Sequence, residues 1–287
     1  MLSDLARHIE LSPDGIWRTS ASARVSFPDD GNRLCFVIED SSFWFRHRRN
    51  CLLALLERFP PPGTFFDVGG GNGYLSSAVQ NAGRQVVLIE PGEDGARNAQ
   101  TRGVQHILCG RLEDAGFQPA TLPAIGLFDV LEHIEDDRAF LQLCRSLQPP
   151  GARLYLTVPA FQLLWSGEDE LAGHYRRYRR AELIALLEAA GYEIEFSSYL
   201  FEFLVLPVLA LRTIPYRLGI RRRRETEAGV RADHATPRGV GRALLNRLMQ
   251  RELAAMKRQH PLRSGTSIVL VARHRLPEAL DRVRASP

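Results

Sequence analysis

The amino-acid sequence predicts an α/β fold, in which a mostly parallel sheet of seven strands carries helices on both faces and a helical insertion precedes the last strand. Two observations support this fold class. Short apolar runs bounded by Gly, Pro or charged residues alternate with helical patterns, as in βαβ units. A long segment of different character then separates the sixth predicted strand from the seventh. That segment is interpreted as an insertion.

Seven segments are predicted strands, because each is short, apolar and bounded by turn-forming or charged residues. They are 64–68, 85–90, 104–109, 124–130, 153–158, 192–199 and 266–273. Helices are predicted at 74–82, 93–101, 136–147 and 180–190. The last of these ends at Gly191, since glycine readily adopts the left-handed conformation that closes a helix.

The chain is expected to divide into an N-terminal arm and helix at 1–62, a core at 63–199 plus 264–275, and a basic helical insertion at 200–263. Within the insertion, 203–211 is apolar but too short for the roughly 20 residues that span a bilayer. An arginine-rich connector is predicted at 221–239, followed by an amphipathic helix at 240–257.

Composition points to an ordinary globular protein, with 45% hydrophobic and 24% charged residues among 287. The four cysteines form no CxxC pair, which argues against a zinc site built on thiolates. No secretory signal is recognised at the N-terminus, and a cytoplasmic location is expected. The net charge of +4 is modest, and a solvated basic turn is the usual explanation of the arginines at 221–224, although such a cluster can also lie against anionic lipid or nucleic acid. The apolar stretch at 203–211 and the basic helix together predict peripheral contact with the inner membrane face through 200–260. A helical cap or a dimer surface is the alternative.

A glycine-rich turn follows the first core strand, where residues 66–73 read FDVGGGNG. Glycines let the backbone pass close to a ligand, and the N-terminus of the next helix presents free N–H groups. Glu90 ends the following strand, where an acid reaches ribose hydroxyls in nucleotide-binding α/β folds. The spacing is GxGxG, which departs from the GxGxxG of dinucleotide-binding folds. The combination predicts an adenosine site, with a merely structural turn as the alternative.

These residues resemble the first motif of the class I S-adenosylmethionine-dependent methyltransferases. Residues 128–135 resemble the branch of this family that acts on small molecules, and residues 174–178, HYRRY, are similar to a segment of bacterial methyltransferases encoded with sugar and polysaccharide enzymes. The likeness runs from about residue 43 to residue 275 and implies a Rossmann-like fold with S-adenosyl-L-methionine as cofactor. By this resemblance Asp67 and the glycines would hold the methionine part, and Glu90 would accept hydrogen bonds from both ribose hydroxyls. The implied cofactor-binding residues are Asp67, Gly69, Gly70, Gly71, Gly73, Glu90, Pro91, Leu112, Glu113, Asp129, Val130 and Trp44.

The chain departs from the family after the third strand, where an acidic residue often meets the adenine amine. Residues 110–114 read GRLED, with Arg111 in that place. The backbone of Leu112 and the side chain of Glu113 are expected to substitute. Trp44 belongs to an aromatic and basic segment at 43–49 that resembles an arm closing over the donor, although a hydrophobic staple would explain it equally well.

Residues 128–135, FDVLEHIE, resemble the fourth motif of the family. His133 is the expected catalytic residue, because a hydroxyl acceptor must lose its proton and a histidine can accept one at neutral pH. Capping of the strand–helix junction is the alternative for His133. The spacing is also similar to that of metal-binding methyltransferases with Glu-x-x-Glu-His, from which Asp129 departs, and no metal is expected.

The segment 165–178, WSGEDELAGHYRRY, follows the fifth strand and mixes aromatic, acidic and basic residues where a substrate would enter. Such a composition favours a polar or anionic acceptor, while a solvated helix lead-in is the alternative. The expected substrate residues are Glu132, Trp165, Asp169, His174, Arg176 and Tyr178.

The sequence therefore predicts methyl transfer to a small-molecule acceptor, with a hydroxyl of a sugar, lipid-linked glycan or metabolite as the expected target. An RNA methyltransferase is an alternative suggested by the arginine-rich insertion. No Asn-Pro-Pro-Tyr-like motif or RNA-binding module accompanies it, so no nucleic acid partner is expected. A non-catalytic module that binds S-adenosylhomocysteine is the other alternative.

Overall fold

The computed structural model describes residues 2–20, 31–220 and 239–276, in which nine strands form one sheet. The strands are β1 (Ile9–Leu11), β2 (Trp17–Thr19), β3 (Phe65–Val68), β4 (Val86–Glu90), β5 (Ile107–Cys109), β6 (Ala124–Phe128), β7 (Arg153–Pro159), β8 (Tyr192–Leu200) and β9 (Ser267–His274). Their order across the sheet is β1-β2-β5-β4-β3-β6-β7-β9-β8. All seven predicted strands are present, and the Rossmann-like α/β fold is confirmed.

Helices cover both faces of this sheet. They are α1 (Gly31–Ile38), α2 (Phe43–Arg58), α3 (Tyr74–Asn81), α4 (Glu93–Thr101), α5 (Asp137–Leu147), α6 (Gly167–Leu171), α7 (Arg180–Ala189), α8 (Val205–Val208), α9 (Ile214–Arg217) and α10 (Val240–Lys257). Single 3₁₀ turns lie at Leu2–Asp4, Leu131–His133, Gln162–Leu164 and Glu202–Leu204, and a π-helical turn at Leu209–Thr213 joins α8 to α9.

The topology brings the ends of the central strands together. Strands β5, β4, β3, β6 and β7 are parallel neighbours, whereas β9 runs antiparallel between β7 and β8. The order along the chain reverses between β3 and β6, and such a switch point leaves a crevice at the carboxyl ends of the strands. Asp67 lies opposite Leu88 on one side and Gly126 on the other. The glycine turn after β3 therefore opens into this crevice.

The central strands are apolar because helices cover both of their faces, as is usual in parallel sheets. Every residue of β3, β4 and β6 is buried. Phe66 and Leu127 belong to the core cluster on one face, and Phe65 packs with Leu55 of α2 on the other. The residues at the ends of these strands are therefore positioned by a well-packed core.

The structure adds two strands to the seven that the sequence predicts. Strand β2 pairs in parallel with β5, with Trp17 opposite Leu108, and β1 pairs with β2. Residues before α1 therefore extend the sheet, whereas 1–62 was expected to be an arm and helix. These strands have three residues each, too few for an alternating pattern to be recognised.

Strand β6 ends at Phe128, two residues earlier than expected. The cause is Asp129, whose φ of +57° lies in the left-handed region and turns the chain out of the strand direction.

The insertion is helical on both sides of its undescribed part. The apolar segment predicted at 203–211 contains the end of a 3₁₀ turn, all of α8 and the start of the π turn. Pro207 lies in the first turn of α8, where the missing N–H does little harm. Helix α10 has the predicted bounds. The connector predicted at 221–239 and the arginines at 221–224 lie outside the described residues, except for Gly239.

Helix α10 is held to the rest of the protein by Glu252, which is buried. Its carboxylate lies 3.0 Å from Nε2 of His47 in α2 and accepts hydrogen bonds from the backbone N–H groups of Phe201 and Glu202. Within the described ranges, no helix is both long and apolar enough to cross a bilayer.

Candidate functional site

A cavity of about 1410 Å³ occupies the crevice at the ends of β3, β4 and β6. Most of the residues predicted from the sequence line it. They are Trp44, Asp67, Gly69, Gly70, Gly71, Glu90, Pro91, Leu112, Glu113, Asp129, Val130, Glu132, His133, Asp169 and His174. Residues expected at the donor end and at the acceptor end therefore share one continuous space.

The turn after β3 has a shape that requires glycine. Gly69 has a φ of +67°, and a Cβ added there would lie 2.6 Å from Cγ2 of Val130. Gly71 has a φ of +54°, and its N–H donates to Oε2 of Glu90 at 2.8 Å. A side chain at Gly69 would both strain the backbone and push on the wall formed by Val130.

Glu90 is buried at the end of β4 and links the turn after β3 to the turn after β4. Its Oε1 accepts from the N–H of Gly92 at 2.8 Å and from Nδ2 of Asn32 at 3.3 Å, while Oε2 accepts from the N–H of Gly71. Burial raises the pKa of this carboxyl group, and the two backbone N–H groups oppose the shift. Oε2 can accept further hydrogen bonds, which fits the hydroxyl donors of a ribose.

Asp67 is only 2% exposed and accepts a hydrogen bond of 2.6 Å from Oγ of Ser76. Burial raises the pKa of Asp67 to about 6, against the opposing effect of the Ser76 hydroxyl. A buried carboxylate costs free energy unless a polar or cationic group lies beside it. This observation fits an amino acid or sulfonium group bound beside it.

Beyond β6, Asp129 forms a compact polar group with Arg48 and Thr157. Arg48 Nη2 lies 2.6 Å from Asp129 Oδ2, and the Thr157 hydroxyl donates to Asp129 Oδ1 at 2.8 Å. The same hydroxyl accepts from Arg48 at 3.2 Å. A cation beside an anion is complementary to the carboxylate and ammonium groups of an amino acid, so this pair fits the methionine end of the donor.

Glu132 and His133 lie in the 3₁₀ turn that follows. Glu132 is fully buried, and neither of its carboxylate oxygens has a hydrogen-bond partner among the described residues. Burial, followed by the charge of Asp129, raises its pKa well above the usual range. Burial, and then the proximity of His174, lower the pKa of His133 to about 4.

The segment between β7 and α7 brings His174 against this turn. The rings of His133 and His174 meet edge to face, with centroids 4.7 Å apart. Asp169 holds His174 by accepting at Oδ1 from Nδ1 at 2.9 Å, and the same oxygen accepts from Arg177 Nε at 2.8 Å. Because Asp169 is 1% exposed and saturated by such contacts, it positions His174 and is a poor candidate for touching an acceptor.

Three of the predicted substrate residues do not line the cavity. Tyr178 is buried and donates its hydroxyl proton to Asp137 at 2.8 Å. Arg176 pairs with the same carboxylate at 2.8 Å. Trp165 follows a 3₁₀ turn outside the cavity wall. Composition shows that a segment is rich in binding residues, but it does not show which of them face inward.

Gly73, a predicted cofactor-binding residue, also lies outside the cavity lining. A Cβ added to it would lie 2.8 Å from Cβ of Ala99. Gly73 therefore permits α3 to pack against α4, which is a structural role within the same motif. After β5, Arg111 pairs with Asp114 at 2.8 Å, while Leu112 and Glu113 line the cavity.

Sequence reasoning missed two polar residues and one apolar wall. Asn32 in α1 and Arg48 in α2 both line the cavity and bond to acids of the donor site. Arg48 belongs to the aromatic and basic segment at 43–49, but nothing in the sequence links it to Asp129. The wall comes from the insertion and consists of Leu204, Pro207, Val208 and Leu211.

A family model described as a methyltransferase domain matches residues 44–195 of the chain. A ubiquinone biosynthesis O-methyltransferase of Xanthomonas euvesicatoria is 33% identical over 148 residues, which are 45% of this chain and 62% of that protein. The match thus spans less than two thirds of this relative.

A probable S-adenosylmethionine-dependent methyltransferase of Mycolicibacterium smegmatis is 25% identical over 59% of this chain and 67% of its own. In solved structures, phosphoethanolamine N-methyltransferase 2 of Haemonchus contortus has a TM-score of 0.54 at 16% identity, covering 88% of this chain and 59% of that one. That likeness concerns the fold.

Proposed function

We propose, since the chain belongs to the class I S-adenosylmethionine-dependent methyltransferases, that it transfers a methyl group to a hydroxyl of a small-molecule acceptor. The observation that carries the proposal is the single cavity in which Glu90 and the glycine turn share space with His133 and His174. A donor and an acceptor can meet in line only if their sites are continuous, and holding them so lowers the barrier by several kcal/mol.

The donor end is assigned residue by residue. Bound S-adenosylmethionine supplies a methyl group made electrophilic by the positive sulfur. Glu90 would hold the ribose, while Arg48 and Asp129 would bind the carboxylate and ammonium groups of the methionine part. Asp67 and Gly69 would lie beside that part, and Trp44 of α2 would cover it.

The acceptor end combines two kinds of surface. Glu132, His133 and His174 form a polar corner, and the insertion contributes the apolar wall defined above. This combination supports an acceptor with a polar, hydroxyl-bearing part and an apolar part, of which a lipid-linked glycan is one type. The hydroxyl would lose its proton at the polar corner, and the role of His133 as its acceptor stays a prediction.

Titration calorimetry with S-adenosylhomocysteine tests the donor half, and absence of binding by the folded protein would refute it. The acceptor half is tested by incubating the protein with methyl-labelled S-adenosylmethionine and cell extract separated into aqueous, lipid and RNA fractions. We expect label in the lipid or small-molecule fraction, identified by mass spectrometry. Label confined to RNA would instead favour the RNA methyltransferase, and binding without any labelled product would favour a non-catalytic module.

We also propose that the insertion touches an anionic membrane surface. Leu206 and Leu218 are 74% and 71% exposed, and Arg217, the last residue of α9, directly precedes Leu218. Exposed apolar and cationic side chains on one segment favour binding at the lipid interface. Flotation with phosphatidylglycerol vesicles should recover the protein, and Leu206→Ser with Leu218→Ser should reduce recovery. Equal recovery of both proteins, or none of the wild type, would contradict this contact.

A further inference from the structure

Glu132 is a buried carboxyl group without a partner. Both of its oxygens are inaccessible and lack hydrogen bonds among the described residues, although the group lines the cavity. Leaving buried polar atoms unsatisfied is expensive, whether the carboxyl group is charged or neutral. Such an orphan in an otherwise well-satisfied site indicates that a ligand belongs beside it.

Two imidazoles surround this carboxyl group. One ligand atom each from Glu132, His133 and His174 lie within 4.8 Å of one another, all at the same end of the cavity. Backbone contacts keep the parts together, because the N–H of Tyr175 donates to the carbonyl oxygen of Glu132 at 2.8 Å. Two histidines and one carboxylate with open positions form a common ligand set for transition metals in catalytic sites.

The orientation of His174 is determined by Asp169. The hydrogen bond of 2.9 Å from Nδ1 places the proton on that nitrogen and leaves Nε2 with its lone pair. Metal-binding histidines almost always donate their other ring N–H to a carboxylate, a backbone carbonyl or water, and Asp169 is a partner of the first kind. Arg177 and the N–H of Ser166 bind the same carboxylate, so His174 is held before any ligand arrives.

Of the three acids near His133 and His174, only Glu132 lacks a cationic partner among the described residues. Asp129 is paired with Arg48, and Asp169 is paired with Arg177. Among the described residues Glu132 forms no ion pair, and both nearby guanidinium groups, those of Arg48 and Arg177, are already paired with other acids. A cation bound at Glu132 would complete the balance.

We propose that Glu132, His133 and His174 bind one divalent transition-metal ion, of which Zn²⁺ is the type, with its open positions toward the acceptor. The sequence alone predicts no metal, because Asp129 stands where the metal-binding pattern has Glu, and a carboxylate with one imidazole is not diagnostic. In the structure, His174 takes the place of the first acid of the Glu-x-x-Glu-His pattern. Asp129 is paired with Arg48 instead.

The metal would bind the acceptor hydroxyl, a role that rests on the proposed function. Coordination lowers the pKa of a bound hydroxyl, so its proton passes to water. The resulting oxygen anion forms the new O–C bond while the C–S bond breaks, and the electron pair of that bond stays on sulfur, giving S-adenosylhomocysteine. His133 would then act as a ligand in place of the base that the sequence predicts.

Titration calorimetry with Zn²⁺ on the chelator-treated full-length protein tests the site, and Co²⁺ supplies a visible spectrum that reports its ligands. We expect one ion per chain. His174→Ala and Glu132→Gln should each weaken Zn²⁺ binding by more than about 100-fold, because loss of even a partner of a ligand weakens binding by about 10- to 100-fold. Asp169→Asn should weaken it less and alter the Co²⁺ spectrum.

Two controls show whether Zn²⁺ binds at the proposed site and whether each variant is folded. Cys51→Ala alters the other group of ligand-type residues, formed by His47, Cys51 and Glu252, and should leave Zn²⁺ binding unchanged. S-adenosylhomocysteine binding, measured on every variant, reports folding and the donor site. Failure of the wild type to bind S-adenosylhomocysteine would refute the proposed function. Intact binding of it together with no Zn²⁺ binding, or with Zn²⁺ binding that survives Glu132→Gln and His174→Ala, would overturn the metal site alone.

Discussion

Replacing Asp67 by Asn should stabilise the ligand-free protein at pH 8 while weakening donor binding. Burial raises the pKa of this carboxyl group from 3.8 to about 6 in the folded state. The folded protein therefore binds the proton more tightly than the unfolded chain does, and ionisation of Asp67 opposes folding. This destabilisation begins near pH 4, grows as pH rises, and is complete above about pH 6.

The magnitude follows from the shift of about 2 units, at about 1.4 kcal/mol each, or about 3 kcal/mol. Asparagine has nearly the same shape, cannot ionise, and can still accept the hydrogen bond from Ser76. Urea unfolding should thus give Asp67→Asn a free energy of unfolding up to about 3 kcal/mol above wild type at pH 8. The difference should shrink toward zero as pH falls to 4.

Glu57→Gln is the matched control, because Glu57 is exposed on α2 and should show little change at either pH. Calorimetry with S-adenosylhomocysteine supplies the second half of the test. Loss of a hydrogen bond to a charged group should weaken binding by about 1.5–3 kcal/mol, roughly 10- to 100-fold. A destabilised Asp67→Asn at pH 8, or a difference in stability that does not vary with pH, would refute the reasoning.

Three further substitutions test the donor site. Gly69→Ala should weaken S-adenosylhomocysteine binding more than tenfold, because its Cβ would press on Val130. Gly83→Ala is the control: its backbone strain is comparable, but nothing lies within 4 Å of the added Cβ, so the protein should lose only about 1–2 kcal/mol of stability. Glu90→Gln should weaken the same binding by roughly 10- to 100-fold in calorimetry, and unchanged affinity would contradict its role at the ribose. Arg48→Gln should weaken binding of S-adenosylhomocysteine more than that of 5′-methylthioadenosine, which lacks the carboxylate; equal losses would argue against that contact.

The exposed apolar side chains of the insertion raise a separate question about how an acceptor enters. Leu211 is both exposed and part of the cavity wall, so the same segment borders the acceptor space and the outer surface. The apolar part of a long acceptor would then extend from the cavity to the surface along this segment. This arrangement explains why the proposed membrane contact and the proposed acceptor class support each other.

Features that depend on neighbours along the chain could be predicted from the sequence. The strand, acid and glycines from Phe65 to Gly71 form one local unit, and Glu90 ends the next strand of the same βαβ arrangement. Their spacing alone predicts that they meet, because parallel strands joined by a helix end at the same edge of the sheet. The fold class and the donor site follow from this local pattern.

Features that depend on packing between distant segments were decided by the tertiary structure. His174 reaches Glu132 because Asp169 and a backbone hydrogen bond position the segment after β7. Arg48 reaches Asp129 because α2 packs against the face of the sheet beside Phe65. Periodicity and composition show which residues are polar but not which way they face. The amino-acid sequence by itself thus determined the seven predicted strands, the glycine turn and the family, whereas the group formed by Glu132, His133 and His174 exists only through contacts between residues far apart in the chain.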